Sequence, residues 1–197
     1  MKIDEFFGQV ASEPERTFMR TVRTNGPEML AKLAKPGGIR LTDFLAAPGH
    51  RMEQRERRYR HILGSPASPG AIESWQDQHP SHPLPADLRA LVARINGIHL
   101  WADPETGRSY TGFAPIEEWE LARIKMYGPT ADPSTLDDQY VALSYDENGS
   151  AFVVLDIASG TYFLMDTAGP DTSTPIASNA DELLDWLWRC RITPTSG

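Results

Sequence analysis

A chain of 197 residues, 40% hydrophobic and 23% charged, has the make-up of an ordinary globular protein, enough for one enlarged domain or one domain plus a segment. Its single cysteine, Cys190, excludes an internal disulfide and any multi-cysteine metal site, which fits a reducing compartment. The net charge of −8 is unevenly spread: residues 1–70 hold twelve Lys and Arg against eight Asp and Glu (+4), and residues 71–197 hold seven against nineteen (−12).

In chain order, the N-terminus Met1-Lys-Ile-Asp-Glu-Phe-Phe carries acids where a secretory signal needs a basic start and an apolar run, so a cytoplasmic location is expected. Ile3, Phe6, Phe7 and Val10 recur at the spacing of one helix face. Ser12-Glu-Pro-Glu15 reads as a capping box opening a second helix, with Phe18, Met19 and Val22 inward and Asn25-Gly26 as its stop. A third short helix is expected over Pro27–Leu33, and Thr42 as the cap of a turn through Phe44 and Leu45. Residues 51–63, RMEQRERRYRHIL, read as a charged helix with Met52, Tyr59, Ile62 and Leu63 as apolar anchors. Its arginines suggest nucleic acid or membrane, but a solvated face partly neutralised by Glu53 and Glu56 is the favoured reading. Gly64-Ser-Pro-Ala-Ser-Pro-Gly70 reads as a linker. The division is therefore a helical segment over 1–64, a linker over 65–70 and a domain over 71–197.

After the linker, Leu84-Pro85 opens a helix whose stripe is Leu88, Leu91, Val92 and Ile95, ended by Asn96-Gly97. Residues 109–116 suggest a short strand or extended stretch, Glu117–Tyr127 a helix burying Trp119, Ala122 and Ile124, and 128–138 a loop. Three strands follow. Tyr140–Tyr145 leads through Asp146-Glu-Asn-Gly149 into Ala151–Ile157, and Ala158-Ser-Gly160 turns into Thr161–Met165. The middle strand is apolar on both faces except at Asp156, as a central strand should be. Asn179 is a plausible cap for a last helix carrying Leu183, Leu184, Trp186, Leu187 and Trp188. The longest apolar run, Ala151–Leu155, is far too short to span a bilayer.

No nucleophile elbow, phosphate loop, H-E-x-x-H or dinucleotide fingerprint occurs. His79-Pro-Ser-His82 has a chelating spacing, but prolines follow both histidines and no carboxylate supports them, so a loop is the better reading. Asp146-Glu-Asn-Gly-Ser150 begins like a calcium loop but has Ala151 and Ile157 where glycine and glutamate are required. Cys190, between Arg189 and Arg191 on an apolar helix, reads as structural, and most of the five tryptophans as packing. No catalytic residue, metal or cofactor is therefore expected. What remains is acid. Glu117, Glu118 and Glu120 crowd one helix start, Asp137 and Asp138 end a loop, and Asp146 and Glu147 cap a hairpin. Helix-dipole and turn preferences account for each singly, but not for the net of −12.

The order of elements resembles the SUKH superfamily, the group of the yeast cell-wall-assembly regulator and many bacterial immunity proteins. The resemblance rests on Leu84-Pro-Ala-Asp-Leu-Arg-Ala-Leu-Val-Ala-Arg-Ile-Asn-Gly97, on the Tyr140–Met165 meander and on the closing helix Asn179–Trp188. It covers about residues 71–190, with Ile98 where the family often has a second glycine and no counterpart for 1–70. It implies an α+β fold, a twisted, mostly antiparallel sheet packed by helices, here with an additional helical N-terminal segment. It further implies a non-enzymatic immunity protein that neutralises a basic toxin, often a nuclease and encoded by a neighbouring gene, by direct binding. Glu117, Glu118, Asp137, Asp138, Asp146 and Glu147 are the expected partner-binding residues, with no nucleic-acid or membrane partner. A regulatory scaffold of the same fold and a metal-dependent hydrolase are the alternatives, and 1–64 as a lid over the acidic face is a further possibility.

Overall fold

The computed structural model describes residues 1–25, 50–102, 111–130, 132, 134, 136, 138–144, 151–166, 169–170 and 174–191. The chain forms two compact units, one of Met1–Glu15 with Arg60–Thr193 and one of Arg16–Tyr59 with Pro194–Gly197.

The first unit starts with helix α1 (Ile3–Ser12), whose stripe buries Phe6 completely and half-buries Ile3, Phe7 and Val10. Phe6 meets Trp188 edge to face, ring centroids 5.9 Å apart. Helix α2 (Pro69–Gln78) follows, capped by the Ser68 hydroxyl, which accepts from the Ala71 N–H at 3.1 Å. Ser68-Pro69 is thus a helix start inside the stretch read as a linker. That stretch is also held in place: Ala67 N–H donates to Val92 O at 2.9 Å and Asn96 N–H to Ser65 O at 3.2 Å.

Helix α3 (Ala86–Val92) carries Leu88, Leu91 and Val92 of the expected stripe and Ile95 follows in the next turn, all no more than 3% exposed. The helix ends earlier than expected, at Val92 with Ala93 as its C-cap, and Gly97 lies beyond the following turn with φ +105°, a conformation that favours glycine. Gly64 packs on the same turn, where a Cβ would fall 1.9 Å from the Asn96 carbonyl oxygen. Strand β3 (Ile98–Ala102) pairs antiparallel with β4 (Thr111–Phe113) and with Arg60–Leu63.

A five-stranded antiparallel sheet forms the centre, in the order β5 (Glu120–Leu121), β6 (Tyr140–Ala142), β7 (Ala151–Asp156), β8 (Thr161–Asp166) and β9 (Gly169–Pro170). On β7 the pleat sends Val153 and Leu155 into the main core and Val154 into a second cluster with Ala122, Ala142, Phe163 and Met165. Helix α4 (Ala122–Tyr127) supplies Ala122 to that second face, while helix α5 (Ala180–Cys190) lays Leu183, Leu184 and Leu187 on the first. Each such aliphatic side chain contributes about 1.5–3 kcal/mol by burial. Asp156, the polar residue of the middle strand, accepts from Ala158 N–H at 2.9 Å and from the Ser159 hydroxyl at 2.9 Å, closing the turn into β8. Asn179 caps α5 by accepting from Glu182 N–H at 2.9 Å. The α+β class and the antiparallel sheet packed by helices are as expected.

Several local readings are corrected. Residues Arg16–Asn25 (β1) and His50–Leu63 (β2) are not helices but an antiparallel pair, in register from Arg16↔Tyr59 to Asn25↔His50. Thr17, Phe18, Thr21, Val22 and Thr24 are β-branched or aromatic and favour that state. Ser12 closes α1 instead of opening a second helix, its hydroxyl donating to Gln9 O at 2.7 Å. Glu117–Tyr127 is likewise not one helix: a 3-10 turn (Ile116–Glu118), β5 and the short α4 share it, because Trp119 is extended at ψ 141°. Cys190 is exposed rather than packed. The helices expected over 27–33 and near Thr42 lie outside the described residues.

Candidate functional site

The carboxylates singled out by sequence divide into three groups. Glu117 and Glu118 are exposed on the 3-10 turn that precedes edge strand β5, and Glu120 is exposed on β5 itself. Asp138 lies just before β6, the partner of β5. Asp137, Asp146 and Glu147 lie outside the described residues. One margin of the central sheet therefore carries Glu117, Glu118, Glu120 and Asp138.

Asn96 fixes this margin. Its Oδ1 accepts from Ile116 N–H at 2.7 Å and its Nδ2 donates to Glu117 Oε2 at 2.8 Å. The Asn-Gly that follows α3 is thus the staple of the acidic turn, and Asn96 is only 9% exposed. Trp119 anchors the far side of the turn, 4% exposed, its indole N–H donating to Ala114 O at 2.8 Å. Glu118 faces the half-buried His99 of β3; burial lowers the His99 pKa and the Glu118 charge works against that shift.

Asp138 differs from its neighbours. Arg123, nearly buried at the start of α4, donates to both of its carboxylate oxygens, at 2.7 and 3.2 Å. The Arg123 hydrogen bond holds the Asp138 carboxyl below its usual pKa, against a smaller opposing effect of burial. Asp138 is therefore ionised but largely committed to Arg123. Sequence reading missed both Arg123 and Asp132, whose Oδ1 accepts from the Ser134 N–H and hydroxyl, each at 2.8 Å. An Asp-x-Ser spacing is the signal for that turn. Glu120 lies 3.7 Å from Lys125 Nζ, a loose surface pair.

This margin can accept charge-assisted hydrogen bonds from arginine or lysine, and its backbone is held rigidly. His79, by contrast, completes the end of α2: its Nδ1 lies 3.0 Å from Trp75 O and its ring 3.4 Å from the Trp75 ring. Among the described residues no three His, Cys, Asp or Glu group as a metal site. A groove of about 310 Å³ runs between α1, α3 and α5, lined by Ile3, Asp87, Arg94, Asn179 and Leu184 among others. No helix of the described residues is long and apolar enough to cross a membrane.

A comparison with curated proteins found no match. A model of the SMI1 / KNR4 family (SUKH-1) matches residues 66–186, which take in the Asn96 staple, the acidic margin, the central sheet and the first turns of α5. The match spans more than half of the chain, and the protein belongs to the SMI1 / KNR4 family (SUKH-1).

Proposed function

We propose that the protein is an immunity protein: it binds a basic toxin domain, the product of a neighbouring gene, and blocks it without a catalytic step of its own. The observation that carries this reading is the pair of exposed carboxylates, Glu117 and Glu118, on a turn fixed by Asn96. A preorganised acidic turn loses little freedom on binding, so its charge goes into association. The net of −12 over residues 71–197 adds a long-range attraction for cations, which raises the rate of encounter. Asp137, Asp138, Asp146 and Glu147 are proposed to extend the surface, Asp138 with the least effect because Arg123 already pairs with it. The family supports protein binding as the general role, and the proposed setting is the cytoplasm. A start of the family's domain near residue 66 is proposed on the same footing, supported by where the family match begins, with Met1–Glu15 belonging to the same compact unit.

Co-expression with the neighbouring gene tests the reading. A stoichiometric complex with a basic product, inhibiting that product's activity, is the expected result. A product that neither binds nor loses activity refutes it.

A further inference from the structure

The groove between α1, α3 and α5 lies wholly within the first compact unit, yet part of its wall is outside the family match, because Ile3 comes from α1, ahead of residue 66. Ile3, Ala90, Leu91 and Leu184 give it an aliphatic lining. Two of its charged residues are neutralised by neighbours: Arg94 donates to Asp4 Oδ1 at 2.6 Å, and Lys2 pairs with Asp181. Asp87 is left over. One of its oxygens accepts from Ala180 N–H at 2.7 Å, and no cation pairs with it among the described residues. The nearby Tyr162 phenol supplies no charge, being held neutral by burial first and by the Asp87 carboxylate second. Asn179 adds a donor, since its Oδ1 accepts from Glu182 N–H and its Nδ2 hydrogens remain available.

We propose that this groove binds a short peptide segment of a partner protein in which one lysine or arginine is flanked by aliphatic residues. An aliphatic groove with one uncompensated carboxylate fits an occupant with one cation and an apolar remainder. A lysine or arginine meets both needs, because its methylene stem packs on apolar surface while its head reaches the charge. The cation takes the second oxygen of Asp87, the aliphatic neighbours cover Leu91 and Leu184, and a backbone carbonyl accepts from Asn179 Nδ2. A simple amine has no such carbonyl. The volume of about 310 Å³ stands at the small end of ligand sites, which suits a few side chains of one segment. None of the lining residues belongs to the Glu117–Glu118 turn, so the groove is a contact that stands or falls without the acidic margin.

Titration of the isotope-labelled full chain with a blocked pentapeptide, lysine between two leucines and glycine at each end, tests this by amide chemical shifts. Saturable shifts centred on Leu91, Ala180 and Leu184 are expected. Replacing the peptide's lysine with uncharged norleucine should weaken binding about fivefold, the scale of one partly exposed ion pair. Asp87→Asn should weaken it to a similar degree, while its amide oxygen still accepts from Ala180 N–H. Ala90→Trp, which fills the groove from an exposed helix position, should abolish binding. The norleucine comparison uses the native chain, so it separates lost contact from lost fold. No saturable shift at millimolar peptide overturns the proposal, as does equal binding of the lysine and norleucine peptides. Shifts centred on Glu117 and Glu118 overturn the site, and butylamine bound as tightly as the peptide overturns the choice of ligand.

Discussion

Two residues carry more of the architecture than their size suggests. Asn96 satisfies the buried Ile116 N–H and orients Glu117 with the two ends of one amide. Asn96→Ala leaves that N–H without its acceptor, a loss of about 1–3 kcal/mol. Urea denaturation should register it as a lower midpoint with an unchanged slope. An unchanged midpoint would mean that the turn is held by Trp119 alone. Glu13 is the second residue. Trp101 N–H donates to His61 Nδ1 at 3.1 Å, so the ring proton sits on Nε2 and is directed at Glu13 Oε2, 2.9 Å away. Arg191 donates to the other oxygen of Glu13 at 2.6 Å and stacks on Trp188, 3.7 Å from its ring centre. Burial raises the Glu13 pKa, but the hydrogen bonds from Arg191 and His61 together outweigh it and leave the group below its ordinary 4.5. The folded value thus lies under the unfolded one. The clasp contributes in full above about pH 4.5 and fades as the pH falls through the lower folded value. Glu13→Gln should therefore flatten the dependence of unfolding free energy on pH between about 3 and 5. The same steepness in the variant would show that this carboxylate is not the one titrating.

At the scale of elements, legibility followed the clarity of periodicity. Leu88, Leu91, Val92 and Ile95 were readable because four apolar residues at helical spacing lie between a proline and an Asn-Gly, and all four are buried. The two-faced β7 was readable for the complementary reason, an apolar run bounded by turn residues. The misreadings arose where two periods compete. Trp119, Glu120 and Leu121 alternate buried, exposed, buried, a strand pattern three residues long that a helical reading absorbs. In β2 the arginines leave too few apolar positions to select either period, and its pairing with β1 decides the outcome. The acidic site was legible as residue types, whereas its staple was not, because Asn96 and Ile116 meet only after the chain has gone out through β3 and back through β4. Gly64 illustrates the same dependence on remote structure: it lies in a stretch that reads as a linker, yet its α-carbon abuts the Asn96 carbonyl. Gly64→Ala should cost at least about 1 kcal/mol and displace the Asn96 turn, visible as lost protection of the Ile116 amide in hydrogen exchange. Full protection would mean that the two backbones separate without consequence.

At the scale of the molecule, charge is divided between two parts. Residues 71–197 are acidic and carry the family's domain, while the β1–β2 ribbon is rich in arginine. The proposed function assigns the first part to a basic protein. The Asp138–Arg123 pair ranks the acidic residues: Glu117→Lys with Glu118→Lys should slow association with the toxin domain at least tenfold at low salt, whereas Asp138→Asn should change it less than threefold.

The most direct measurement is the association rate constant of the protein with the toxin domain, followed by stopped flow from low to physiological salt. The account predicts a rate that falls steeply with salt in the native protein, and one that is slow and nearly flat in the Glu117→Lys/Glu118→Lys variant. Equal rates for the two proteins, or a native rate indifferent to salt, would contradict it.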